Sequence, residues 1–207
     1  DEMVSLILQA GKALAGVRPG TRLEVANIAR RGGGRIPWSV SHQTGRDADL
    51  LFPLLRDGAP FLPGAMIPLD ESGVGAGADG KPVRLDVPGL AAVVRSLVEQ
   101  NEVGIRHLFI ANPLRQMVLD YSTAQQTPTR MLRRMGQLLK QPRGTLPHND
   151  HLHVRIMCAP GDQLHLGAAD GAVPGRQIRH DGARQVLCVD HVEHAARLAR
   201  HQAARAP

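Results

Sequence analysis

Two short segments of the chain carry the residue types from which metal sites are built. Residues 41–49 (SHQTGRDAD) include His42 and Asp49, and residues 148–153 (HNDHLH) contain three histidines. Two imidazoles and one carboxylate would hold a zinc ion and leave one coordination position open to water. Each segment also has a simpler interpretation: a surface histidine with a capping aspartate, or a buried pair of hydrogen-bonded histidines. The sequence therefore suggests the hypothesis of a metal site made of His42, Asp49 and His153.

The first segment is expected to be a turn that leads into a strand. Six residues separate His42 from Asp49, and Gly45 lies among them. The step around Gly45 favours a turn that brings the two side chains to one point. Residues 48–52 (ADLLF) then resume an apolar character, which predicts a strand that holds Asp49 while His42 approaches from the loop.

The second segment is expected to enter a strand with one polar face. Residues 151–156 (HLHVRI) alternate between polar and aliphatic side chains, and alternate side chains of a strand point to opposite faces of the sheet. His151, His153 and Arg155 are therefore predicted to line a cleft, while the three aliphatic residues enter the core. His148 lies on the approach to this strand.

Further helices and strands are expected to position these segments within a single domain. A chain of 207 residues suits one domain with a sizeable core. Helical spacing, strand alternation and a run rich in proline and glycine predict the remaining elements. In chain order these are a helix at 4–17, a strand at 22–28, a long Pro/Gly-rich surface loop near 53–82, a helix at 86–100, a strand at 104–111, one or two helices over 113–139 with the second beginning near Thr129, and a basic helical tail near 189–205.

The composition indicates a globular protein with an excess of positive charge. Hydrophobic residues make up 43% of the chain and aromatic residues only 2%, so aliphatic side chains must build the core. The net charge of +6 and the pI near 10.3 favour an anionic partner: nucleic acid, an anionic membrane or an acidic cell-wall polymer. Because the basic residues are dispersed and no aromatic-rich platform is present, no nucleic-acid partner is expected.

No transmembrane or targeting segment is expected in this chain. No apolar run reaches the length of about 18 residues that a membrane span needs, and Lys12 interrupts the apolar stretch near the N-terminus. The chain opens with Asp1 and Glu2, the reverse of the basic start of a signal peptide. A signal segment, if the protein has one, is therefore expected to be missing from this chain.

Three further features are interpreted as structural. Residues 75–80 (GAGADG) match the GxGxxG pattern of dinucleotide-binding turns, but no clear strand precedes them and no helix follows, so a flexible loop is favoured. His107 lies among apolar residues, which is typical of a hydrogen-bonded histidine in a sheet. His191 and His194 are three residues apart and favour a solvated face of the tail helix over a metal site.

The order and spacing of the two opening segments resemble the penicillin-insensitive murein endopeptidase family. The resemblance rests on SHQTGRDAD followed about a hundred residues later by HNDHLHVR, and it spans roughly residues 19–158. The family belongs to a wider zinc peptidase group with the D-Ala-D-Ala carboxypeptidases, lysostaphin-type enzymes and hedgehog domains. The resemblance implies an α+β fold of the hedgehog and D-Ala-D-Ala peptidase type, with a central, mainly antiparallel sheet flanked by helices.

The resemblance also implies roles for the residues of both segments. His42, Asp49 and His153 would be the ligands of one Zn²⁺ ion per chain. His151, the first histidine of the HxH pair, would be the catalytic partner beside the metal. His148 would line the site as an auxiliary residue.

Two arginines and one serine complete the expectations for the site. Arg155, on the same predicted strand face as the histidines, and Arg46 are candidates for binding a substrate carboxylate, with an ordinary exposed arginine as the alternative at each position. Ser39 lies where members of the family often carry another histidine. That departure leaves the expected metal ligands intact.

The activity implied by the resemblance is zinc-dependent hydrolysis of D-alanyl-meso-diaminopimelyl cross-links in peptidoglycan. Metal-assisted attack by water needs no serine nucleophile, so such an enzyme is insensitive to penicillin, which acylates serine. The alternative is a non-catalytic, metal-containing module of the same fold that binds the cell wall.

The implied compartment is the periplasm or the outside of the cell. Cys158 and Cys188 are the two cysteines of the chain, and their number permits either one disulfide or two separate thiols. In an oxidising compartment they are expected to pair.

Overall fold

The computed structural model describes residues 2–31, 33–34, 36–37, 39, 41–99 and 104–157, and the backbone of 178–180 and 183–185. These residues form four helices and eleven strands. The helices are α1 (Glu2–Val17), α2 (Val87–Glu99), α3 (Asn112–Ala124) and α4 (Thr129–Leu138). The strands are β1 (Val25–Asn27), β2 (Asp47–Leu51), β3 (Leu54–Arg56), β4 (Ala59–Phe61), β5 (Val74–Ala76), β6 (Pro82–Leu85), β7 (Ile105–Phe109), β8 (Leu139–Lys140), β9 (His151–Ile156), β10 (Ile178–His180) and β11 (Ala183–Gln185).

The central sheet contains five strands in the order β1-β2-β9-β7-β8. Its neighbouring strands are antiparallel except for β7 and β8, which run parallel. A parallel pair needs a long crossover connection, and here α3 and α4 supply it. The α+β fold with a mainly antiparallel central sheet is therefore confirmed.

One face of the central sheet shares an aliphatic core with the helices. Leu152, Val154 and Ile156 alternate along β9 and are at most 2% exposed, as their spacing predicted. The buried residues of α1 recur at intervals of three and four, which is typical of a helix with one apolar stripe. They are Met3, Leu6, Ala10 and Leu14. Because burying each large aliphatic side chain contributes about 1.5–3 kcal/mol, this face holds the sheet and the helices together.

A buried carboxylate joins α1 to α2. Arg18, just beyond the end of α1, donates to Asp86 from Nε at 2.7 Å and from Nη2 at 2.9 Å. Asp86 also accepts the backbone N–H of Gly89 at 3.1 Å, which satisfies a donor in the first turn of α2. A Cβ atom at Gly89 would lie 2.6 Å from Asp86 Oδ2, so glycine is required beside this carboxylate.

Residues 53–82 contain most of a second antiparallel sheet, so the expectation of a long surface loop is wrong. This sheet has the strand order β4-β3-β6-β5. Asp57 and Gly58 have φ values of 52° and 78° and form the two-residue turn between β3 and β4. An Asp-Gly pair with positive φ is the signature of a type I′ hairpin. Strands of three or four residues are too short to show clear alternation, and the glycines and prolines around them gave the segment the composition of a loop.

The other expected elements that fall within the described residues are present, with local differences. The helices lie close to their predicted positions, whereas β1 covers only part of the strand expected at 22–28. Residues 75–80, expected to form a flexible loop, include the end of β5 and the turn that follows it. The tail near 189–205, Cys158 and Cys188 lie outside the described residues, so the tail helix and the disulfide stay predictions. Within the described part of the chain, no helix is long and apolar enough to cross a membrane.

Candidate metal centre

Several candidate functional residues lie in one transverse row of the central sheet, which is formed by residues paired across its strands. Asn27 pairs with Asp49, and Asp49 pairs with His153. Phe109 pairs with His153 on one side and with Lys140 on the other. Each of the five strands contributes one residue to this row, on the face opposite the aliphatic core. Strand register therefore brings Asp49 and His153 together, although they lie 104 positions apart in sequence.

His42 reaches the same point from the turn before β2. Gly45 has a φ of 75°, a left-handed conformation that favours glycine and lets the chain reverse. Ser39 Oγ accepts the backbone N–H groups of Ser41 and His42 at 3.3 and 3.4 Å and supports this turn. The predicted arrangement, with Asp49 in a strand and His42 in the preceding loop, is confirmed.

The three predicted ligands converge on one buried point. His42 Nε2 lies 3.1 Å and His153 Nδ1 lies 2.9 Å from Asp49 Oδ1, and the two ring nitrogens are 3.4 Å apart. His42 is 1% exposed, and Asp49 and His153 are each 6% exposed. Their candidate ligand atoms all lie within 4.8 Å of one another, so this cluster could hold a metal ion.

Each candidate ligand has its other polar atom fixed by a partner outside the cluster. His42 Nδ1 donates to the carbonyl oxygen of Ile28. His153 Nε2 donates to Asp47 Oδ1 at 3.0 Å. Asn27 Nδ2 donates to Asp49 Oδ2 at 3.0 Å. Partners of this kind orient metal ligands and set which histidine nitrogen carries the proton.

These outer contacts leave three acceptor atoms facing one another. A neutral imidazole has one N–H donor and one lone pair, so a histidine that donates outward turns its lone pair inward. His42 Nε2 and His153 Nδ1 therefore direct lone pairs toward the same oxygen of Asp49. Three acceptors at these distances repel one another unless a cation, either a proton or a metal ion, lies among them. Nitrogen and carboxylate donors suit a first-row divalent metal ion, so the residues fit the expected group.

The electrostatics of the cluster also favour a cation. When that cation is a proton, burial opposes ionisation of Asp49, but hydrogen bonds from the surrounding imidazoles outweigh burial and hold the pKa of Asp49 well below its usual range. Burial likewise opposes charge on His153, but Asp47 and Asp49 outweigh it and raise the pKa of His153. The ionised carboxylate of Asp49 thus attracts positive charge to the point where the three ligand atoms meet.

His151 lies beside the cluster and is more accessible than the ligands. Its Nδ1 donates to Asp150 Oδ1 at 2.6 Å, which turns Nε2 toward Asp49 Oδ1 at 3.4 Å. The side chain of His151 is 15% exposed, compared with 2% for His42 and 7% for His153. Burial opposes its charge, but Asp150 and Asp49 raise the pKa of His151 to about 9.

His148 completes a second histidine group with His151 and His153. Burial, together with repulsion from His151 and His153, lowers the pKa of His148 to about 4, so its ring is neutral near pH 7. Gln141 Oε1 accepts its backbone N–H at 3.0 Å and fixes the approach to β9. Among the described residues, His148 Nδ1 has no hydrogen-bond partner.

Arg155 lies on the predicted strand face, but it does not line an open cleft. It pairs across the sheet with Asp47, and its Nη1 donates to both carboxylate oxygens at 3.2 Å. Arg155 is 7% exposed and Asp47 is fully buried. The expectation that Arg155 faces a substrate cleft is therefore wrong, because the strand register places a buried carboxylate opposite its guanidinium.

Arg46 is also engaged in a structural contact. Its Nη1 donates to the carbonyl oxygen of Met157 at 2.7 Å and to Glu2 Oε2 at 3.2 Å. These contacts tie the end of β9 to the beginning of α1. The structure therefore gives Arg46 a role in joining two elements, apart from the ligand cluster.

Phe109 forms an apolar wall beside His153. Its ring stacks on His153 with centroids 5.3 Å apart and on His107 with centroids 5.2 Å apart. His107 is a buried residue of β7, as its apolar neighbours predicted. The stacked rings restrict movement of His153 from the side opposite Asp49.

Sequence patterns did not identify four residues that support the site: Asn27, Asp47, Asp150 and Phe109. Strand alternation could have shown Asp47, which lies two residues before Asp49 and shares its face. Asp150 directly precedes His151, and this adjacency in the sequence could have indicated it. Asn27 and Phe109 join the site only through pairing between distant strands, which no local pattern reveals.

Comparisons with protein-family models, curated proteins and solved structures find no match to this chain. The resemblance to murein endopeptidases therefore rests on the motif residues. What the structure adds is the convergence of His42, Asp49 and His153 at one buried point.

Proposed function

We propose that this protein is a zinc-dependent murein endopeptidase of the penicillin-insensitive type. The observation that carries the proposal is the meeting of three inward-facing acceptor atoms, from His42, Asp49 and His153, beside a third histidine, His151, held by its own carboxylate. A metal bound only for structure needs no such histidine. A hydrolytic site does, because a proton must move during cleavage of an amide.

His42 Nε2, Asp49 Oδ1 and His153 Nδ1 would hold the zinc ion. Zinc in such a three-residue site supplies Lewis acidity and makes water acidic enough to act as a nucleophile near neutral pH. Asn27 and Asp47 keep the ligands oriented, and Phe109 excludes water from one side of His153.

His151 would move the proton. Asp150 anchors its Nδ1–H, so Nε2 is the atom available to exchange a proton with the reacting group. Its distance of 3.4 Å from Asp49 Oδ1 places that nitrogen at the edge of the ligand cluster. His148, with a neutral ring near pH 7, would line the substrate side without adding charge.

The proposed substrate is the D-alanyl-meso-diaminopimelyl cross-link of peptidoglycan. Two observations support it: the motif resemblance and the net charge of +6, which suits an anionic wall polymer. This substrate would place the protein in the periplasm or outside the cell. A non-catalytic wall-binding module is the alternative, and the low exposure of the three ligands is the feature that favours it.

The test is digestion of purified sacculi by zinc-loaded protein and by a His151→Ala variant. Wild-type protein should release monomeric muropeptides, and the variant should keep its zinc while losing activity by about 10²–10⁴-fold, the range for removal of a general acid or base. Lys81→Gln, which alters an exposed loop residue, is the matched control and should retain full activity. Equal release by wild type and His151→Ala, or release by neither at full zinc occupancy, would overturn the proposal.

A further inference from the structure

Lys140 lies at the far end of the transverse row that contains Asp49 and His153. It is the pairing partner of Phe109, and its Nζ lies 6.0 Å from the centroid of the Phe109 ring. The opposite neighbour of Phe109 in the row is His153, on which the ring stacks. One aromatic ring therefore separates the lysine ammonium from a proposed zinc ligand.

The ammonium of Lys140 is half-buried and lacks an acidic partner among the described residues. No carboxylate of the described chain lies within 4.0 Å of its Nζ, whereas Arg18, Arg56 and Arg155 each have an aspartate. Burial and repulsion from the nearby Arg106 lower the pKa of Lys140. A partly desolvated cation with no counter-ion is unfavourable unless an anion joins it.

The two arginines first considered as carboxylate binders are occupied elsewhere. Arg155 binds Asp47 in the sheet, and Arg46 joins β9 to α1. Lys140 also lies on the face that carries the ligands, but no carboxylate of the described residues pairs with it, and Phe109 lies between it and His153 in the row. Phe109 is itself held between the rings of His107 and His153.

We propose that Lys140 forms a subsite for a carboxylate of the peptide substrate, one aromatic ring away from the metal ligands. The inference rests on the proposed function and narrows its substrate class to peptides that carry a free carboxylate close to the scissile amide. The ammonium pairs with that carboxylate, and Phe109 sets the distance from it to the amide that is cleaved. Lys140 is thus a specificity-determining residue.

The test compares binding of two probes, N-acetyl-D-alanyl-D-alanine and its C-terminal carboxamide, to zinc-loaded protein by NMR titration. Wild-type protein should bind the acid about ten- to a hundredfold more tightly than the amide, since a hydrogen bond between charged groups is worth that much. Lys140→Gln should lose most of this preference, and Lys140→Arg should retain most of it. The amide should bind equally to all three proteins.

Two further variants keep the outcome interpretable. Lys81→Gln removes a lysine charge from an exposed loop residue and should leave the preference unchanged. Lys140→Met keeps the length of the alkyl chain and is used if the glutamine variant fails to fold. Equal binding of acid and amide by wild type, binding of neither, or an unchanged preference in the neutral variants would overturn the subsite.

Digestion of sacculi by the same proteins distinguishes this inference from the proposed function. A carboxylate preference without any release of muropeptides would overturn the endopeptidase and leave the subsite intact. Release of muropeptides by a protein with no carboxylate preference would overturn the subsite alone.

Discussion

The two faces of β9 are buried to nearly the same extent, one through packing of aliphatic side chains and the other through pairing of polar side chains. Leu152 and Val154 are each 1% exposed on one face, and His153 and Arg155 are 6% and 7% exposed on the other. The aliphatic face is stabilised by area removed from water, which many side chains of similar volume would supply. The polar face is stable only while each buried donor and acceptor has its own partner. Substitutions on the first face should therefore reduce stability and spare metal binding, whereas substitutions on the second should disrupt metal binding and also reduce stability where they leave a buried charge without its partner.

Substitutions at two neighbouring residues on opposite faces, His153 and Leu152, should show the largest difference between the two faces. His153→Ala removes one of the three proposed ligands and should abolish stoichiometric zinc binding, because the two that remain would not complete the site. Leu152→Ala should lower the free energy of unfolding by about 2–5 kcal/mol and still bind one zinc ion per chain. Metal analysis after dialysis and urea unfolding measure the two effects. Retention of zinc by the histidine variant, or its loss from a folded leucine variant, would contradict the assignment.

Asp47 tests whether polar partners serve stability, metal binding or both. Asp47→Ala leaves the guanidinium of Arg155 buried without its carboxylate and should cost about 3–5 kcal/mol of stability. The double variant Asp47→Leu with Arg155→Met should recover much of that loss, because no buried charge is left unpaired.

Zinc affinity should not recover with stability in the double variant. His153 Nε2 still lacks its acceptor there, so affinity is expected to stay about 10–100-fold below that of wild type. Competition with a fluorescent chelator measures it. If affinity and stability recover together, Asp47 does not orient His153.

Asn27 should give the smallest effect on the polar face. Its amide donates to Asp49 Oδ2 from the partly exposed strand β1, so Asn27→Ala should weaken zinc binding by about tenfold, the lower end for a partner of a metal ligand. The free energy of unfolding should fall by only about 1 kcal/mol. Unchanged zinc affinity in the same chelator assay would show that Asp49 needs no such support.

Local sequence patterns predicted the turn and the strand face that carry the candidate ligands, and the motif resemblance joined His42, Asp49 and His153 into one predicted cluster. The alternation in residues 151–156 gave both faces of β9, and Gly45 indicated the turn that returns His42 toward Asp49. These features depend on neighbours within a few residues, where dihedral preferences and strand periodicity act directly. The same patterns identified the helices, whose apolar spacing spans several turns.

The remaining features depend on pairing between distant segments. Alternation along β9 predicts the face on which Arg155 lies but not its partner, Asp47, which belongs to a strand more than a hundred residues earlier. The strands of the sheet within residues 53–82 are too short to show periodicity, so only the Asp57-Gly58 pair signals one of its hairpins in the sequence. Lys140 joins the site only through the parallel pairing of β7 and β8, which no local signal specifies.

The most direct test of the central claim is an anomalous difference map at the zinc edge from crystals of zinc-loaded protein. The account predicts one peak per chain, bonded to His42 Nε2, Asp49 Oδ1 and His153 Nδ1 at about 2.0–2.2 Å, with His151 Nε2 beyond bonding distance. A peak elsewhere, bonds through the opposite nitrogens of His42 and His153, or coordination by His151 as a fourth protein ligand would contradict it.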